Sequence, residues 1–395
     1  MIKEITSDIF YAGVNNRSKE LFEALWPIPY GVSYNSYLIR DEKIALVDAC
    51  DLNLIQQYAD QLLELLDGRS VDYLIINHME PDHSGAIKTL RHLFPDMKIV
   101  GNAKTFGMLK GFYSIEENLL QVADGDELDL GKHKLRFMLT PMLHWPETMM
   151  TYDITSATLF SGDAFGCFGA LNGSPIDKDI DTDIFRDEMR RYYACIVGKY
   201  GVPVQTALKK LKGLPIDRIC STHGPVWEEE IAQAVGAYDR FSRYEGEEGV
   251  VIVFGSMYGN TQQLAEKIAE QLSARGVKKI IIHNLSCSDT SYILSDIFRY
   301  KGLILGSPVY NNALFPKMEG LLNDLKSRGV KNRVFACFGS YVWAQSALNT
   351  LTKFGEEMKW KTATVSVCQE CTCDRRNQDG CVQLAQSFTD LLKEA

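Results

Sequence analysis

The second half of the chain alternates apolar strand segments with amphipathic helical segments, and this alternation strongly constrains its fold. The strand segments read GVVIVFGS, KKIIIHNL, GLILGSPV, RVFACFGS and TATVSVC. Helical segments lie between them, such as QQLAEKIAEQLSAR, in which apolar residues recur at a spacing of three and four. Nearly continuous apolar strands separated by helices are typical of a parallel sheet covered on both faces. The alternation over residues 250–395 therefore predicts a doubly wound parallel α/β domain.

The first half of the chain has a different pattern, in which shorter strand segments mix with helices. Its strand segments read YNSYLI, KIALVDA, YLIINH, KLRFMLT, TLFSGD and RICSTHG. A chain of 395 residues is longer than one core usually supports, which favours two domains. The charged segment RYEGEEG (243–249) predicts a linker between a first domain at 1–246 and a second at 250–395.

The overall charge and the N-terminal segment exclude several classes of protein. A net charge of −9 argues against nucleic acid or an anionic membrane as a partner, since both require a basic face. The segment MIKEITSDIFYAG lacks the apolar run of a signal peptide, and no segment is long and apolar enough to span a membrane. We therefore expect a cytoplasmic protein.

Histidine and carboxylate side chains follow four of the apolar segments in the first half. Because the carboxyl ends of neighbouring strands in an α/β sheet meet at one crevice, we expect these side chains to lie together. Seven ligands are too many for one tetrahedral ion and are typical of two ions about 3.5–4 Å apart with a bridging carboxylate. We predict no catalytic residue beyond the metal ligands. The predicted ligands are His78, Glu80, Asp82, His83, His144, Asp163 and His223.

The chemical character of this set indicates a redox-active metal. Four imidazoles and three carboxylates without a thiolate favour iron or manganese over structural zinc. A zinc hydrolase of the metallo-β-lactamase type would carry histidine where this chain has Glu80. The carboxylate adds negative charge, which stabilises the higher oxidation state of a redox metal. The other three histidines, His92, His133 and His283, are predicted to lie on the surface.

The loop SMYGNT (256–261) joins the first strand of the second domain to a helix and predicts an anion site. Hydroxyl and backbone N–H groups at a helix N-terminus bind phosphate. The loop lacks the lysine of a Walker motif and the three glycines of a dinucleotide motif, so it favours the single phosphomonoester of FMN. Two later strand ends, GSPVYNN and FGSYVWAQS, add small and aromatic residues at the same edge. An unliganded doubly wound domain is the alternative. The predicted FMN-binding residues are Ser256, Met257, Tyr258, Gly259, Asn260, Thr261, Ser307, Pro308, Val309, Tyr310, Asn311, Gly339, Ser340, Tyr341 and Trp343.

Together the motifs HMEPDHSG, TPMLHWPETM, FSGDAFG, STHGPV and GSMYGNT resemble those of the flavodiiron proteins, in this order and over essentially the whole chain. The resemblance implies a metallo-β-lactamase-like αββα sandwich followed by a flavodoxin-like domain. It implies reduction of dioxygen to water, of nitric oxide to nitrous oxide, or of both. It also implies one iron on His78, Glu80 and His144, a second iron on Asp82, His83 and His223, and Asp163 as the bridge.

The resemblance further implies the partners. Electrons are expected from a rubredoxin or a flavin-linked reductase, here a separate protein because no rubredoxin-like segment follows residue 395. A head-to-tail homodimer that places the flavin of one subunit beside the irons of the other is expected as the minimum assembly, with a tetramer as the alternative. Many family members carry a histidine near residues 24–26, where this chain has ALWPIPYG. Trp26 or Tyr30 is expected to fill that volume.

Two further questions stay open at the level of sequence. The cluster Cys368, Cys371, Cys373 and Cys381 does not match standard metal-site spacings, so free thiols are favoured over a metal site or a redox disulfide. Two other functions compete with the reductase. One is a zinc-dependent hydrolase fused to a flavodoxin-like domain, which Glu80 disfavours. The other is an electron carrier based on the second domain alone, which leaves the predicted ligands of the first domain unexplained.

Overall fold

The fold is taken from a computed structural model that describes residues 2–371 and 375–394, with the side chains of 375–377 left out. The chain divides into two compact units. The first comprises Met1–Tyr192 and Val202–Asp239, and the second comprises Tyr193–Gly201 and Arg240–Ala395. The second unit thus includes a short segment from the first half of the chain. The domain limits at 246 and 250 stay a prediction.

The first unit consists mainly of short strands connected by loops and helices. Its strands are β1 (Lys3–Glu4), β2 (Ile9–Tyr11), β3 (Val14–Asn16), β4 (Leu21–Phe22), β5 (Trp26–Pro27), β6 (Val32–Tyr34), β7 (Tyr37–Ile39), β8 (Ala45–Val47), β9 (Tyr73–Ile75), β10 (Lys98–Gly101), β11 (Leu119–Gln121), β12 (Glu127–Asp129), β13 (Lys134–Leu139), β14 (Met149–Asp153), β15 (Thr158–Gly162) and β16 (Arg218–Ser221). The helices of this half of the chain are α1 (Ile55–Leu66), α2 (Pro81–Ser84), α3 (Ile87–Leu93), α4 (Ala103–Tyr113), α5 (Asp183–Tyr192), α6 (Gly201–Leu211) and α7 (Ile231–Ser242).

Two mixed sheets form the centre of the first unit. The seven-stranded sheet has the order β1-β2-β7-β8-β9-β10-β11, and the five-stranded sheet has the order β12-β13-β14-β15-β16. Tyr37 of β7 packs its ring against Phe160 of β15 at 5.4 Å and donates a hydrogen bond to the carbonyl of Ser221 in β16. The two sheets therefore face each other across a buried core, which is the two-sheet arrangement expected for this domain.

The predicted strand YNSYLI is two strands in the structure. Residues Val32–Tyr34 pair with β3, and residues Tyr37–Ile39 pair with β2 and β8. Between them the buried Asn35 donates hydrogen bonds from its amide to the carbonyls of Ser221 and Gly224. A buried amide requires partners, and these carbonyls lie outside the ladder that a continuous strand would make. This is why the prediction of one strand was wrong.

The second unit contains one parallel sheet with helices. Its strands are β17 (Glu247–Phe254), β18 (Ile280–Asn284), β19 (Tyr300–Pro308), β20 (Val334–Tyr341), β21 (Lys361–Thr362) and β22 (Val367–Glu370). Its helices are α8 (Asn260–Ala274), α9 (Thr290–Arg299), α10 (Pro316–Ser327), α11 (Ser346–Glu357) and α12 (Arg375–Lys393). The strand order is β18-β17-β19-β20-β21, with β22 also pairing β20, and every pairing is parallel. This is the doubly wound order of flavodoxin-like sheets.

Two predictions for the second half need correction. The predicted strand TATVSVC is broken, since Thr362 pairs with Phe335 and Val367 with Phe338. From Thr362 to Val367 the chain advances five residues, whereas β20 advances only three from Phe335 to Phe338. The extra residues therefore bulge out of the ladder. The predicted linker is also shorter than proposed, because β17 already begins at Glu247 inside it.

The predicted surface position of His133 was wrong. His92 is exposed and His283 is partly buried, but His133 is only 2% exposed. Its Nδ1 lies 2.7 Å from a carboxylate oxygen of Asp153, and its Nε2 lies 3.5 Å from Asp8. An imidazole can be buried when a carboxylate is its partner. The residues next to His133 in the sequence do not reveal this partner. Within residues 2–371 and 375–394, no helix is long and apolar enough to cross a membrane.

Candidate metal centre and flavin pocket

The seven predicted metal ligands lie together in the first unit and form two groups. In each group the possible ligand atoms all lie within 4.8 Å of one another. The groups are His78, Glu80, His144 and Asp163 on one side, and Asp82, His83 and His223 on the other. The structure thus brings together all the residues that the sequence analysis selected, although their role as ligands stays a prediction.

The elements that carry these residues belong to two sheets, not to one as expected. His78 and Glu80 follow β9 of the seven-stranded sheet, and the short helix α2 presents Asp82 and His83. The remaining three residues come from the five-stranded sheet. His144 lies in the β13–β14 loop, Asp163 directly follows β15, and His223 follows β16. The ligands therefore meet where the ends of the two facing sheets adjoin.

Asp163 lies between the two groups and presents one oxygen to each. Its Oδ2 is 3.0 Å from Nε2 of His144 and 3.6 Å from Nε2 of His78. Its Oδ1 is 2.9 Å from Nε2 of His83 and accepts a hydrogen bond from the Thr222 hydroxyl at 2.6 Å. A carboxylate placed in this way has the geometry required of a bridging ligand.

Neighbouring groups orient two of the imidazoles. Nδ1 of His223 lies 2.7 Å from the Ser33 carbonyl, and a carbonyl only accepts hydrogen bonds. Nδ1 therefore carries the proton, and Nε2 of His223 presents its lone pair towards Asp82 at 3.4 Å. In the same way, Nδ1 of His78 lies 2.8 Å from Glu147. Partners of this kind set ring orientation and tautomer at metal sites.

Several buried atoms of the second group fit a cation. Neither carboxylate oxygen of Asp82 makes a hydrogen bond within the described part of the chain, and the same holds for Nε2 of His223. Buried polar atoms normally have hydrogen-bond partners, so three such atoms close together indicate a different kind of partner. Oxygen and imidazole nitrogen are the ligands that suit iron or manganese. The residues present therefore fit the predicted metal pair.

The electrostatics of the cluster favour charged side chains. Burial lowers the pKa values of His83 and His144, but the surrounding carboxylates prevail and raise both to about 9. Burial raises the pKa of Asp163, but the imidazoles around it hold the value well below the ordinary range. Metal binding to this set therefore displaces protons from the imidazoles.

Glu147 and Glu23 belong to the environment of this centre, and the sequence analysis missed both. Glu147 is held between the ring of His78 and the N–H of Met79. Its only signal in the sequence is its position three residues after His144. Glu23 is an exposed residue, but partial desolvation of its carboxyl and then the charge of Glu80 raise its pKa to about 7.

The expectation that Trp26 or Tyr30 fills the volume near residues 24–26 stays a prediction. Trp26 is buried and Tyr30 is half-exposed. The charge of Glu80 acts on the carboxyl of Glu23, which comes directly before the segment ALWPIPYG. Both Glu23 and Ala24 have left-handed backbone conformations, with φ values of 50° and 56°. The sequence does not reveal this tight turn, because glutamate and alanine rarely adopt positive φ values.

A cavity of about 250 Å³ lies at the carboxyl edge of the parallel sheet, where FMN was predicted to bind. Ten of the predicted residues line it, namely Ser256, Met257, Tyr258, Asn260, Thr261, Pro308, Val309, Ser340, Tyr341 and Trp343. The other five, Gly259, Ser307, Tyr310, Asn311 and Gly339, do not line it. Val342 and Cys371 line the cavity and were not predicted.

Two of the five residues outside the lining shape the pocket indirectly. Gly259 has a φ of +91°, and its N–H donates a hydrogen bond to the Ser256 hydroxyl at the start of α8. Ser307 is buried and accepts a hydrogen bond from the backbone N–H of Phe315. Both hydrogen bonds depend on how the backbone turns within each loop, so a motif alone does not separate residues that line the pocket from residues that support its loops.

The pocket suits a flat ring with a phosphate. The Thr261 and Ser340 hydroxyls lie 2.8 Å apart at the start of α8, where the helix N-terminus favours an anion. Tyr258 is 91% exposed and Trp343 is 73% exposed at the same cavity. Large aromatic side chains this exposed offer flat surfaces for a bound aromatic ring. The residues present fit FMN.

The cysteine cluster is only partly described. Cys371 is exposed and lines the flavin pocket, and Cys368 is half-buried, both as free thiols. Cys381 is buried. Cys373 lies outside the described residues. Among the described residues, the groups that could hold a metal ion contain no cysteine.

The fold and the site together define a class, namely two-domain proteins with a lactamase-like metal domain followed by a flavodoxin-like domain. Residues 32–224 match the model of the ODP family beta lactamases, and residues 252–384 match the flavodoxin model. These matches confirm the predicted fold class.

Individual relatives give the family. The chain is 36% identical over 330 residues to the anaerobic nitric oxide reductase flavorubredoxin of Escherichia coli O1:K1 / APEC, covering 82% of this chain and 68% of the relative. It is similar to the rubredoxin oxygen:oxidoreductase of Desulfovibrio gigas, with a TM-score of 0.95, 26% identity and coverage of 100% of this chain and 99% of the other. A mutant of the flavo di-iron protein of Thermotoga maritima gives a TM-score of 0.90 at 26% identity, with 99% of both chains covered. The chain belongs to the flavodiiron protein family, and it is an enzyme of that family.

Proposed function

We propose that this enzyme reduces dioxygen to water, nitric oxide to nitrous oxide, or both, at a pair of non-haem iron ions that receive electrons through FMN. The observation that carries the proposal is the position of Asp163, whose two oxygens each face imidazoles of a different ligand group. One iron would be held by His78, Glu80 and His144, and the other by Asp82, His83 and His223. The names of the relatives, a nitric oxide reductase and an oxygen oxidoreductase, support the same reaction class.

When bound, the iron pair and FMN supply the redox chemistry, two electrons each. Dioxygen takes up four electrons and four protons to form two waters, and two molecules of nitric oxide take up two electrons and two protons to form nitrous oxide and water. The chain itself supplies the geometry. It holds the imidazole Nε2 atoms towards the metal positions, excludes bulk water by burial, and offers a phosphate site at the start of α8.

The partners and location follow the same proposal. The electron donor is a rubredoxin or a flavin-linked reductase. The assembly is a head-to-tail homodimer or a tetramer built from such dimers, and the protein acts in the cytoplasm without a nucleic-acid or membrane partner. The similarity to a rubredoxin oxygen:oxidoreductase supports the choice of donor.

The test uses the full chain loaded with iron and FMN. The protein is reduced without oxygen and mixed with a pulse of dioxygen or of nitric oxide, while flavin absorbance and product are followed. We expect fast flavin reoxidation with at least one gas, with water or nitrous oxide as the product. Slow reoxidation with both gases would contradict the proposal, and so would a protein that binds zinc and shows only hydrolase activity.

A further inference from the structure

A second cavity of the second unit, about 520 Å³ in volume, has a strongly basic lining. It lies at the amino ends of β19, β20 and β21, the edge of the parallel sheet opposite the candidate flavin pocket. Its volume is within the range of small-molecule sites. The whole chain has a net charge of −9, so a basic cavity is a local reversal of charge. The charged residues of the lining are Arg243, Lys301, Arg333, Lys359, Lys361 and Glu245.

Arg333 contributes a buried positive charge to this lining. The residue is 1% exposed, and burial lowers the pKa of its guanidinium to about 10, so the group stays charged at neutral pH. Within the described part of the chain no carboxylate pairs with it. Carbonyl groups satisfy its N–H donors without neutralising its charge, and a buried charge without a counterion is costly. The carbonyls that accept its hydrogen bonds are those of Tyr244, Ile297, Phe298, Lys331 and Asn332.

Two exposed lysines of the lining also lack a carboxylate partner. Neither Lys359 nor Lys361 forms an ion pair within residues 2–371 and 375–394, and Lys361 reaches only a backbone carbonyl, that of Glu394, at 3.4 Å. The other two cations of the lining are paired. Arg243 lies 2.9 Å from Glu245, and Lys301 lies 3.4 Å from Glu248. Three positive charges of the cavity therefore have no carboxylate beside them.

Helix ends explain only part of this charge. Arg243 directly follows α7, Lys359 lies two residues after α11, and Arg333 bonds carbonyls in the last turn of α9. The C-terminus of a helix carries about half a negative charge and favours cations. Three helix ends thus supply about −1.5 against three unpaired cations, which leaves about 1.5 positive charges. A phosphate monoester carries about −1.5 to −2 at pH 7 and matches this remainder.

We propose that this cavity binds a small organic molecule through a phosphate monoester group. Lys359 and Lys361 contact the phosphate, since lysine ammonium groups bind phosphate as point charges. Arg333 supplies a fixed positive charge that needs no rearrangement when the ligand binds. The inference is independent of the proposed function, because the cavity lies at the opposite edge of the sheet from the candidate flavin pocket.

The double variant Lys359→Gln/Lys361→Gln tests the inference. It removes two exposed charges and leaves Arg333, whose hydrogen bonds join several segments, in place. Glucose 6-phosphate and AMP serve as probes in isothermal titration calorimetry of the full chain loaded with iron and FMN. We expect the wild type to bind at least one probe at a single saturable site per chain. The dissociation constant should rise about tenfold in the double variant.

Lys317→Gln/Lys353→Gln is the matched control. These lysines are exposed on α10 and α11 of the same unit and do not line the cavity, so the control changes the net charge by the same amount. It should bind the probe as tightly as the wild type. Glucose, which lacks the phosphate, should not bind to the wild type.

Each outcome decides for or against the phosphate site. Binding of neither probe to the wild type would overturn the inference. Equal weakening in the two double variants would also overturn it, because the attraction would then come from the charge of the whole protein. If the inference holds, the probe with the lower dissociation constant distinguishes a nucleotide from a sugar phosphate. A wild-type protein that binds a probe at this site but reduces neither gas would refute only the proposed function.

Discussion

At the scale of single residues, Glu147 orients one of the proposed metal ligands. One of its oxygens accepts a hydrogen bond from the backbone N–H of Met79 and lies 2.8 Å from Nδ1 of His78. Burial raises the pKa of Glu147, but the His78 ring prevails and holds it below its ordinary value. The carboxylate is therefore charged and fixes the direction of the ring.

The variant Glu147→Gln should weaken iron binding by about 10–100-fold, the usual effect of losing a partner of a metal-bound histidine. The measurement is a titration of the metal-free protein with ferrous iron in competition with a chelator. Glu116→Gln is the control, because Glu116 is an exposed carboxylate paired with Lys110. Equal iron affinity in both variants would show that Glu147 does not act through His78.

His133 makes the stability of the first unit depend on pH. Its hydrogen bond with Asp153 raises its pKa above the ordinary value near 6.5, although burial acts in the opposite direction. Because the folded-state pKa is raised, the stabilisation is complete below about pH 6.5 and is lost as the pH rises through the folded-state value.

Urea denaturation at a series of pH values checks this expectation. The difference in free energy of unfolding between wild type and His133→Gln should be largest below about pH 6 and should shrink at higher pH. His92→Gln, a change at an exposed histidine of α3, is the control for the general effect of replacing histidine by glutamine. A difference for His133→Gln that is constant with pH would contradict the assignment.

At the scale of elements, the loop after β16 requires glycine at position 224. Gly224 has a φ of +76°, and a Cβ placed there would lie 2.1 Å from the sulfur of Cys167. Gly173 provides the comparison, since its φ is +88° and no atom lies within 4 Å of its Cβ position. An alanine at either position strains the backbone, but only an alanine at Gly224 also overlaps a neighbouring atom.

Gly173→Ala should lower the free energy of unfolding by about 1–2 kcal/mol through backbone strain alone. Gly224→Ala should lower it by about 1–3 kcal/mol more, because the added methyl overlaps Cys167. Adding Cys167→Ala to Gly224→Ala should recover part of the loss, as measured by chemical denaturation. Equal costs at the two glycines would show that the overlap relaxes freely.

The start of α8 is the element that we expect to bind the FMN phosphate. Thr261→Val removes a buried hydroxyl next to Ser340 and should weaken FMN binding about tenfold. Quenching of flavin fluorescence on addition of the FMN-free protein measures this affinity. Thr350→Val alters an exposed hydroxyl of α11 that bonds the Ser346 carbonyl, and it should leave FMN binding unchanged. Unchanged affinity in Thr261→Val would place the phosphate elsewhere.

At the scale of the whole molecule, the proposed head-to-tail dimer can be tested by complementation. Asp163→Ala should abolish the metal pair, and Thr261→Asp should repel the FMN phosphate by placing a carboxylate in its site. Each variant alone should be inactive. When both chains are produced together with different affinity tags, the isolated heterodimer should regain gas reductase activity, because one chain supplies the flavin and the other the irons. An inactive heterodimer that contains both cofactors would contradict transfer between subunits.

The sequence predicted the second unit better than the first. Long apolar strands and helical periodicity depend on neighbouring residues, so β17 to β20 and the helix α8 could be placed directly. The break between β21 and β22 could not be foreseen, because it depends on how many residues of this edge oppose those of β20. The same holds for YNSYLI, where buried side chains of the segment bond to a different sheet.

The seven candidate ligands could be selected from the sequence because each is a metal-binding residue type near the end of an apolar segment, and this is a local property. Their partners were decided only by the tertiary structure. His78 lies 69 residues from Glu147, and His223 lies 190 residues from Ser33. The hydrogen bonds between such pairs exist only after the two sheets have packed against each other. Residue type and spacing thus determined which chemistry the chain can perform, whereas packing decided how each reactive atom is oriented.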